Sequence, residues 1–490
     1  MIGRALAVSA GAAFAVWTAI AAAQPPVSRP RPRVIPPRDS GPAKITFTRE
    51  ISRLLQAHCQ TCHHDGGIAP FPLVTYSDAL FHGSLIAVNT RNRIMPPWHV
   101  DSACTEFQDD PSLAPSEIQA FSDWVDSGAP EGDPGDLPPP VAFSDGWALG
   151  APDKVLTMSE PMTPDFSKGD VYRCFVMPTG LSEDRYVEAA EVVPGVGRMV
   201  HHVILFIDTT GASESLDAAD PGPGYSCFGG PGFTLSSALG GWAPGNVAKR
   251  LPEGVGLALP KNSRIVMQVH YSALARVSAP DVTSVGLHFS KKPVQKVLRI
   301  APLINQTFVI PAGASDHVVT ASLPYIPVDV HLYSVTPHMH LLGRTMNVRA
   351  TSVTGQQRCL VDVKDWDFHW QRSYFFQDPL PLPAGSRLDL VAHYDNSASN
   401  PQNVSNPPRE VRWGENTTDE MCIAFLTFTI DDEIPPSGAA AAPLARNSVP
   451  IPPFWEVEWP VVAHPLAAEV PGHWHHGSAA AAEGPQAPRR

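Results

Sequence analysis

Residues 198–206 read Arg-Met-Val-His-His-Val-Ile-Leu-Phe, and residues 264–271 read Arg-Ile-Val-Met-Gln-Val-His-Tyr. Both stretches are rich in β-branched and other apolar side chains, which favour strands. Short runs of this kind, separated by turn residues, continue from about residue 151 to residue 432. The pattern predicts that this part of the chain is built mainly from β-sheet.

The composition of the whole chain agrees with a globular, β-rich protein. It has 490 residues, of which 43% are hydrophobic and 17% charged, so it can bury large cores. The 53 prolines and 36 glycines suit sandwiches with many turns and exclude a long-helix or coiled-coil protein. The net charge of −13 argues against a nucleic-acid partner, which would need a basic stripe. At ~150 residues per domain, the length predicts about three domains.

The N-terminus has the pattern of an export signal. Arg4 precedes an apolar run that ends in three alanines, so we expect a signal peptide at residues 1–23. A membrane anchor is the alternative, although the apolar run is short for a span of ~30 Å. No later stretch has ~18 uninterrupted apolar residues, so we expect no membrane span after cleavage. The predicted location is the periplasm or the extracellular medium, where disulfides persist.

Changes in composition predict how the rest of the chain is divided. The predicted segments are a Pro-rich linker at 24–43, a helical region at 44–133, a second linker at 134–150, a β-rich part at 151–432 and an Ala/Pro-rich tail at 433–490. Within the helical region, one helix is predicted to open near Thr48 and another to run from Pro115 to Ser127. The tail contains His473, His475 and His476 and is predicted to be solvated, with an accessory metal tether as the alternative.

Cys59-Gln60-Thr61-Cys62-His63 is a C-x-x-C-H pattern, which attaches haem in c-type cytochromes. Two thiols on one helical turn can bond the two haem vinyl groups, and His63 can supply an axial imidazole. Met95 is the predicted distal ligand, because His/Met ligation gives an electron-transfer haem. His64 and His99 are rivals for that position.

The helical region resembles a small class I c-type cytochrome domain, with its first and last helices where that family has them. The resemblance implies one covalently bound haem c. Two other interpretations of the cysteine pair are weaker. A thioredoxin-like redox pair lacks a βαβ context here, and a zinc site lacks a second C-x-x-C nearby.

Six residues of the β-rich part are candidate copper ligands: His201, His202, His270, His338, His340 and Met421. Three imidazoles suit copper, and two imidazoles with a soft thioether leave a position open for O₂. His338 and His340 are two residues apart, so on a strand their side chains share one face. Adjacent histidines point to opposite faces of a regular strand. His201 and His202 can therefore share a metal only at a bulge or a strand end.

The stretch from about residue 172 to residue 421 resembles the copper type II, ascorbate-dependent monooxygenases, the family of peptidylglycine α-hydroxylating and dopamine β-monooxygenase. The motifs that carry the resemblance occur in order at 200–206, 250–256, 268–271, 338–343 and 417–422. The resemblance implies two jelly-roll-like copper subdomains, at 151–300 and 301–432, that face each other across a solvent-filled cleft. The predicted fold is a small all-α cytochrome c domain followed by two mainly antiparallel β-sandwiches.

The resemblance also implies roles for the six ligands. His201, His202 and His270 would hold an electron-transfer copper. His338, His340 and Met421 would hold the copper that activates O₂. The implied reaction is hydroxylation of a C–H bond of a small-molecule substrate. Two electrons come from outside, from ascorbate, a quinol-linked donor or a cytochrome, and we expect the haem to pass them to the first copper. The alternatives are a copper-binding or electron-transfer protein without a substrate, and a reductase of nitrogen oxides.

The resemblance further implies a disulfide between Cys174 and Cys227. Cys422 has a bridged counterpart in the family, but the usual partner position holds no cysteine in this chain. Cys359 or Cys104 is the expected substitute partner. A type 1 copper thiolate at Cys422 is the rival interpretation.

Departures from the family pattern bear on the substrate. In the peptide-amidating members, an Arg before the H-x-H motif and an Asn and a Tyr after the Met-Cys pair hold the substrate carboxylate. The matching positions here are Thr336, Ile423 and Phe425. A carboxylate buried among them would be unpaired and costly. We therefore expect a neutral or apolar substrate and no amidation of peptidylglycine.

Overall fold

The computed structural model describes residues 44–143, 146–234, 237–275 and 277–433. The predicted signal peptide, the first linker and the tail beyond residue 433 lie outside the described residues. The α-helices of the described part are α1 (Ser52–His58), α2 (Tyr76–Arg91), α3 (Pro115–Asp126) and α4 (Ala212–Ala219). Shorter helical turns are Phe47–Ile51, Pro134–Asp136, Phe166–Lys168 and Ala273–Ala275. None of these helices combines the length and the apolar content that crossing a membrane requires.

The region predicted to be helical contains α1, α2 and α3 and no regular strand. Its core surrounds Phe121 and Trp124, which are fully buried on α3. The indole Nε1 of Trp124 donates a hydrogen bond to the carbonyl of Pro130 at 3.0 Å. The two predicted helices are present, while the identity of this region as a cytochrome c domain stays a prediction.

Helix α2 was not expected from the sequence. Thr75 and Asp78 begin it with a capping box, in which each side chain accepts a hydrogen bond from the other residue's backbone N–H. Four of its apolar side chains are 47–85% exposed, namely Leu80, Phe81, Leu85 and Val88. Because apolar residues lie all round the helix, the one-sided stripe that marks an amphipathic helix is missing. The capping box was the available sequence signal.

Ten strands form the first β-sandwich. They are β1 (Lys154–Thr157), β2 (Val171–Pro178), β3 (Arg185–Val193), β4 (Val200–Asp208), β5 (Tyr225–Ser226), β6 (Ser237–Trp242), β7 (Val255–Leu259), β8 (Arg264–Tyr271), β9 (Ser284–Phe289) and β10 (Lys296–Val297). One sheet has the order β1-β9-β3-β7-β10 and the other has the order β5-β2-β8-β4-β6. The short β10 pairs in parallel with β7, and the other pairings are antiparallel.

Ten further strands follow. They are β11 (Arg299–Ile304), β12 (Val309–Ile310), β13 (His317–Leu323), β14 (Val330–His338), β15 (Gly343–Thr351), β16 (Gln357–Val363), β17 (Tyr374–Leu382), β18 (Arg387–Tyr394), β19 (Val411–Arg412) and β20 (Ile423–Ile430). Two antiparallel sheets, β11-β20-β14-β17 and β13-β18-β15-β16, make the second sandwich, and β12 pairs with β19 at its side. The prediction of a β-rich structure after the helical region is confirmed.

Each sandwich buries its own apolar core between its two sheets. In the first, Leu205 of β4 and Leu287 of β9 belong to one cluster of buried residues. In the second, Leu390 of β18 and Leu426 of β20 do so. The chain passes from the first sandwich to the second just before β11, which pairs along its whole length with β20. The predicted division at 300/301 therefore falls inside β11.

The segment after α2 packs into the second sandwich. Val100 forms a β-bridge with Val363, and Phe107 forms one with Phe376. Both Val100 and Phe107 are buried in the core of the second sandwich. Cys104, between them, is disulfide-bonded to Cys359 of β16. The helical region is thus fixed to the second sandwich by shared core and by a disulfide, whereas the second linker leads into the first sandwich.

The disulfides confirm one cysteine prediction and correct another. Cys174 is bonded to Cys227 as predicted. Cys422 is a free, fully buried thiol, and the pairing of Cys422 with Cys359 or Cys104 is wrong because those two pair with each other. Burial raises the pKa of the Cys422 thiol to about 12. The Cys422 side chain packs in the core of the second sandwich, whereas its neighbour Met421 packs in a separate cluster, so the two side chains do not share one site.

Removing the Cys104–Cys359 bridge tests the attachment of the helical region. We expect Cys104→Ser to lower the free energy of unfolding by about 2–5 kcal/mol, because the bridge closes a long loop in the unfolded chain. Urea unfolding followed by fluorescence measures this. Cys359→Ser should cost the same, and the double variant should cost no more than either single one. Strictly additive losses would contradict the pairing.

Candidate metal centre

Strand β4 has a β-bulge at the paired histidines. Its pairing with β8 shifts register between Val200 and His202, and His202 lies directly opposite His270. The extra residue in β4 is His201, which is released from the strict alternation of the strand. The sequence analysis required a bulge or a strand end for His201 and His202 to share a metal, and the structure has a bulge there.

Three imidazoles converge at this bulge. The Nδ1 atom of His202 lies 3.3 Å from that of His201 and 3.4 Å from that of His270. Burial and the neighbouring imidazoles lower the pKa of His201 and His202 well below the ordinary value, and burial lowers the pKa of His270. Neutral rings keep the lone pairs that metal binding uses. Three imidazole ligand atoms, all within 4.8 Å of one another, fit a copper ion.

The second pair of histidines lies where β14 ends. His338 is the last residue of the strand, and His340 follows it in the connection to β15, so a strand end brings their ring centroids to 5.2 Å. Nδ1 of His338 donates to Oε1 of Gln371 at 2.7 Å, and Nδ1 of His340 donates to the carbonyl of Asp419 at 3.2 Å. Burial lowers the pKa of His338 to about 4 and that of His340 to about 3. Each ring therefore presents an unprotonated Nε2.

Met421 is held beside these histidines by the carboxylate of Glu420. This fully buried carboxylate accepts the backbone N–H groups of His340 at 2.8 Å, Leu342 at 2.6 Å and Met421 at 3.2 Å. Burial raises the pKa of Glu420 to about 8, although the hydrogen bonds from the backbone N–H groups act in the opposite direction. One side chain thus fixes the backbone of two of the three candidate ligands in this set.

The two histidine sets lie close together. The ring centroids of His202 and His338 are 6.5 Å apart. Phe368 stacks on His201 at 4.2 Å and meets His340 edge to face at 5.9 Å. The family resemblance implied two sets separated across a solvent-filled cleft. In this structure the sets meet directly, and residues of both sets line a cleft that both sandwiches share.

An apolar patch adjoins Met421 in that cleft. Thr336 lies opposite Phe425, and His338 lies opposite Ile423, in the pairing of β14 with β20. Met421 and Ile423 pack with Ile304, Trp413 and Phe425 in a separate small cluster. The hydroxyl of Thr336 donates to Ser373 at 2.8 Å. The three positions singled out in the sequence therefore form one patch beside the second set.

The C-x-x-C-H residues lie on the turn that follows α1. The backbone N–H groups of Cys62 and His63 both donate to the carbonyl of Cys59, at 3.1 and 2.9 Å. Cys59 and Cys62 are not disulfide-bonded. Nδ1 of His63 donates to the carbonyl of Phe71 at 2.9 Å, which leaves Nε2 as a free acceptor. Two free thiols and an oriented imidazole on one turn fit covalent haem with one axial ligand.

Uncovered apolar surface nearby also fits a large apolar group. Seven bulky apolar side chains between residues 68 and 94 are at least 40% exposed: Ile68, Val74, Leu80, Phe81, Leu85, Val88 and Ile94. Exposed apolar side chains that lie together on a small domain are typical of a binding site, and these seven are candidates for one. Covalent haem and its distal ligand remain predictions.

The rivals for the distal position have other contacts. The ring of His64 stacks on Phe143 at 4.1 Å, and its Nδ1 donates to the carbonyl of Gln60 at 2.9 Å. The backbone carbonyl of His99 accepts from Lys364 at 2.8 Å, at the edge of the second sandwich, while its ring Nε2 is buried without a hydrogen-bond partner among the described residues. Met95 is partly buried in the loop after α2. It remains the predicted distal ligand.

One loop contacts the haem-motif region and both histidine sets. This 364–373 loop joins β16 to β17. Its Arg372 lies over the ring of Trp98 at 5.1 Å and is close enough to Cys62 to lower its pKa, although burial raises it more. Gln371 bonds His338, and Phe368 stacks on His201. The three candidate redox sites are therefore joined through ten residues of chain.

Sequence analysis found the candidate ligands but missed the residues that orient them. Gln371 is 33 residues from His338, and Glu420 is 80 residues from His340. Glu420 had a signal, since it lies inside the 417–422 motif beside Met421. Gln371 and Phe368 lie in a loop with no recognisable pattern, so only the folded chain reveals them.

Comparisons with known proteins point to one family. Residues 297–437 match the model of the copper type II ascorbate-dependent monooxygenase C-terminal domain. DBH-like monooxygenase protein 1 from Gallus gallus is 22% identical over 301 residues, which is 56% of this chain and 46% of that protein. Putative DBH-like monooxygenase protein 2 from Homo sapiens is 20% identical, over 52% of this chain and 53% of that protein. The chain spans about half the length of the curated relatives it matches. These findings support the predicted copper family.

Comparison with solved structures gives no further information about the family. The major capsid protein P2 from bacteriophage PM2 aligns at 9% identity with a TM-score of 0.24, over 56% of this chain and 97% of that chain. PNGase F, a glycosylasparaginase from Flavobacterium meningosepticum, aligns at 9% identity with a TM-score of 0.23, over 57% of this chain and 97% of that chain. Scores this low carry no argument about fold or function.

Glu420→Ala tests the support of the second set. Three buried N–H groups lose their acceptor, so we expect the metal-free protein to lose about 3 kcal/mol or more of unfolding free energy. Urea unfolding measures this, and copper titration should show weaker binding at one site. Glu410→Ala, an exposed control, should change stability by about 0.5 kcal/mol or less. Equal losses in the two variants would contradict the assigned role of Glu420.

Proposed function

We propose, on the match of residues 297–437 and the two facing histidine sets, that this protein is an exported, haem- and copper-dependent monooxygenase. It hydroxylates a C–H bond of a small, neutral or apolar organic substrate with O₂. Haem c is the entry point for electrons from an external donor. The first set, His201, His202 and His270, receives them, and the second set, His338, His340 and Met421, uses them.

The observation that carries the proposal is the closeness of two chemically different ligand sets. Three imidazoles make one set, and two imidazoles with a thioether make the other. The ring centroids of His202 and His338 are only 6.5 Å apart, which favours electron exchange between metals held by the two sets. Copper in such sites supplies one-electron chemistry and activation of O₂.

The chain's own groups prepare the second set for that role. The carbonyl oxygens of Gln371 and Asp419 hold the protons of His338 and His340 on Nδ1. The two Nε2 atoms stay available as ligand atoms. Glu420 fixes the backbone on both sides of the set. These contacts pre-organise the ligands, so that little rearrangement accompanies metal binding.

The apolar patch beside Met421 supports a neutral substrate. Ile423 and Phe425 offer no hydrogen-bond donor, and the Thr336 hydroxyl is engaged with Ser373. A substrate carboxylate placed there would lose its hydration without gaining a partner. An apolar compound has no charged group to dehydrate, and it gains free energy by burying apolar area.

The haem role is supported by the 364–373 loop. The loop contacts Trp98 in the helical region and the rings of His201 and His338 in the copper sets. The loop therefore provides a continuous packed connection between the two regions.

Metal and haem analysis of the full chain, exported into a periplasm that matures c-type haem, tests the proposal. We expect one haem and two coppers per chain with type 2 EPR signals. His202→Ala and His340→Ala should each lose one copper, and His317→Ala, outside both sets, should lose none. Neutral apolar compounds should stimulate O₂ uptake, whereas a glycine-extended peptide should not. Copper binding with no substrate-stimulated uptake would indicate a copper carrier instead.

His63→Ala tests the haem route. We expect this variant to keep both coppers and to lose turnover with a protein electron donor, because its haem lacks the axial ligand. Ascorbate, which can reach the open cleft directly, should restore part of the rate. If a variant shown to hold no functional haem still turned over at the normal rate with the protein donor, the proposed role of the haem would be wrong.

A further inference from the structure

Two residues at the start of β2 contact both His270 and the other sandwich. They are Asp170, just before the strand, and Tyr172, its second residue. Their partners across the sandwich boundary are Glu415 and Thr417, in the segment that leads to Met421. We call these four residues the clasp. The members of each pair are two residues apart, so the contacts repeat like a short ladder.

Asp170 is the charged half of the clasp. Its side chain is buried, with 8% exposure, and Oδ2 lies 3.3 Å from Nε2 of His270. The same oxygen accepts the hydroxyl of Thr417, and Oδ1 accepts the backbone N–H of Ala273 at 2.8 Å. The contact with His270 is off-axis for a strong hydrogen bond, so its effect on the ring is mainly electrostatic. It acts on the ring atom opposite the Nδ1 atom that faces His202.

Tyr172 is the aromatic half. Its ring stacks on His270 at 4.1 Å with an angle of 10° between the planes. Its hydroxyl donates to the backbone carbonyl of Glu415 at 2.7 Å. His270 is therefore held from its face by Tyr172 and from its edge by Asp170. Both holding groups are also tied to the other sandwich.

We propose that the clasp couples the orientation of His270 to the docking of the two sandwiches. Asp170 and Tyr172 act as positioning residues, because Asp170 lies against Nε2 of His270 and Tyr172 stacks on the face of the same ring. When Thr417 and Glu415 are engaged, the His270 ring is fixed for metal binding and the second set is drawn to His202. When they separate, His270 loses both constraints. The effect on copper rests on the proposed function, whereas the mechanical coupling does not.

The test uses Asp170→Asn, Thr417→Val and the double variant in the full chain. Thr417→Val keeps the side-chain volume and removes only the hydroxyl. Thr418→Val is the matched control, because Thr418 is the exposed neighbour and touches no member of the clasp. The first readout is hydrogen–deuterium exchange of metal-free protein at peptides covering 170–173 and 413–421. The second readout is competition titration of copper. The binding phase that is lost in His202→Ala is assigned to the first set.

We expect Thr417→Val to speed exchange in both peptides and to weaken copper binding at the first set by about 10–100-fold. Among the described residues of the first sandwich, the hydrogen bonds of Thr417 go to Asp170 and not to a candidate ligand. The double variant should lose no more than the stronger single one. The control should match wild type in both readouts. If Asp170→Asn weakened copper binding at the first set while Thr417→Val behaved like wild type, the proposed coupling would be wrong. If wild type bound no copper, the proposed function would fall, and the exchange data would still decide the clasp.

Discussion

The bulge at His201 is the constraint on which the candidate centre depends. In a regular strand, His201 and His202 would point to opposite faces, one into the core and one outwards. The register shift against β8 lets both turn toward His270. Burial then keeps the three rings neutral, and neutral rings are able to bind a metal. The first set therefore exists because one extra residue interrupts a ladder of hydrogen bonds.

Docking of the two sandwiches brings the second histidine set next to the set formed at that bulge. His202 approaches His338 from across the boundary, and Phe368 fills the space between His201 and His340. Polar ties such as Asp170 to Thr417 run beside these rings. The same boundary thus carries structural contacts and candidate ligands, so that a change in docking alters both sets at once.

Several features were predictable from local sequence. The strand at 264–271 and the helix beginning at Pro115 agree with the structure. The Cys174–Cys227 bridge also agrees, but it was implied by the family resemblance and not by local sequence. The partner of Cys422 was not predictable, because disulfide geometry depends on which distant strands become neighbours. Helix α2 was missed because its apolar residues do not form one face. Phe368 and Gln371 were missed because loop residues carry no periodic signal.

By itself, the sequence determined the chemistry available: a C-x-x-C-H turn, five candidate histidines, a methionine, and the strands that bear most of them. Side-chain type and strand periodicity are local properties, so the sequence displays them directly. Only the tertiary structure decided that the two histidine sets meet, that residues 98–108 join the second core, and that Asp170 lies against His270. These outcomes depend on contacts between residues far apart in the chain. Such contacts arise from the burial of complementary surfaces, which no local pattern records.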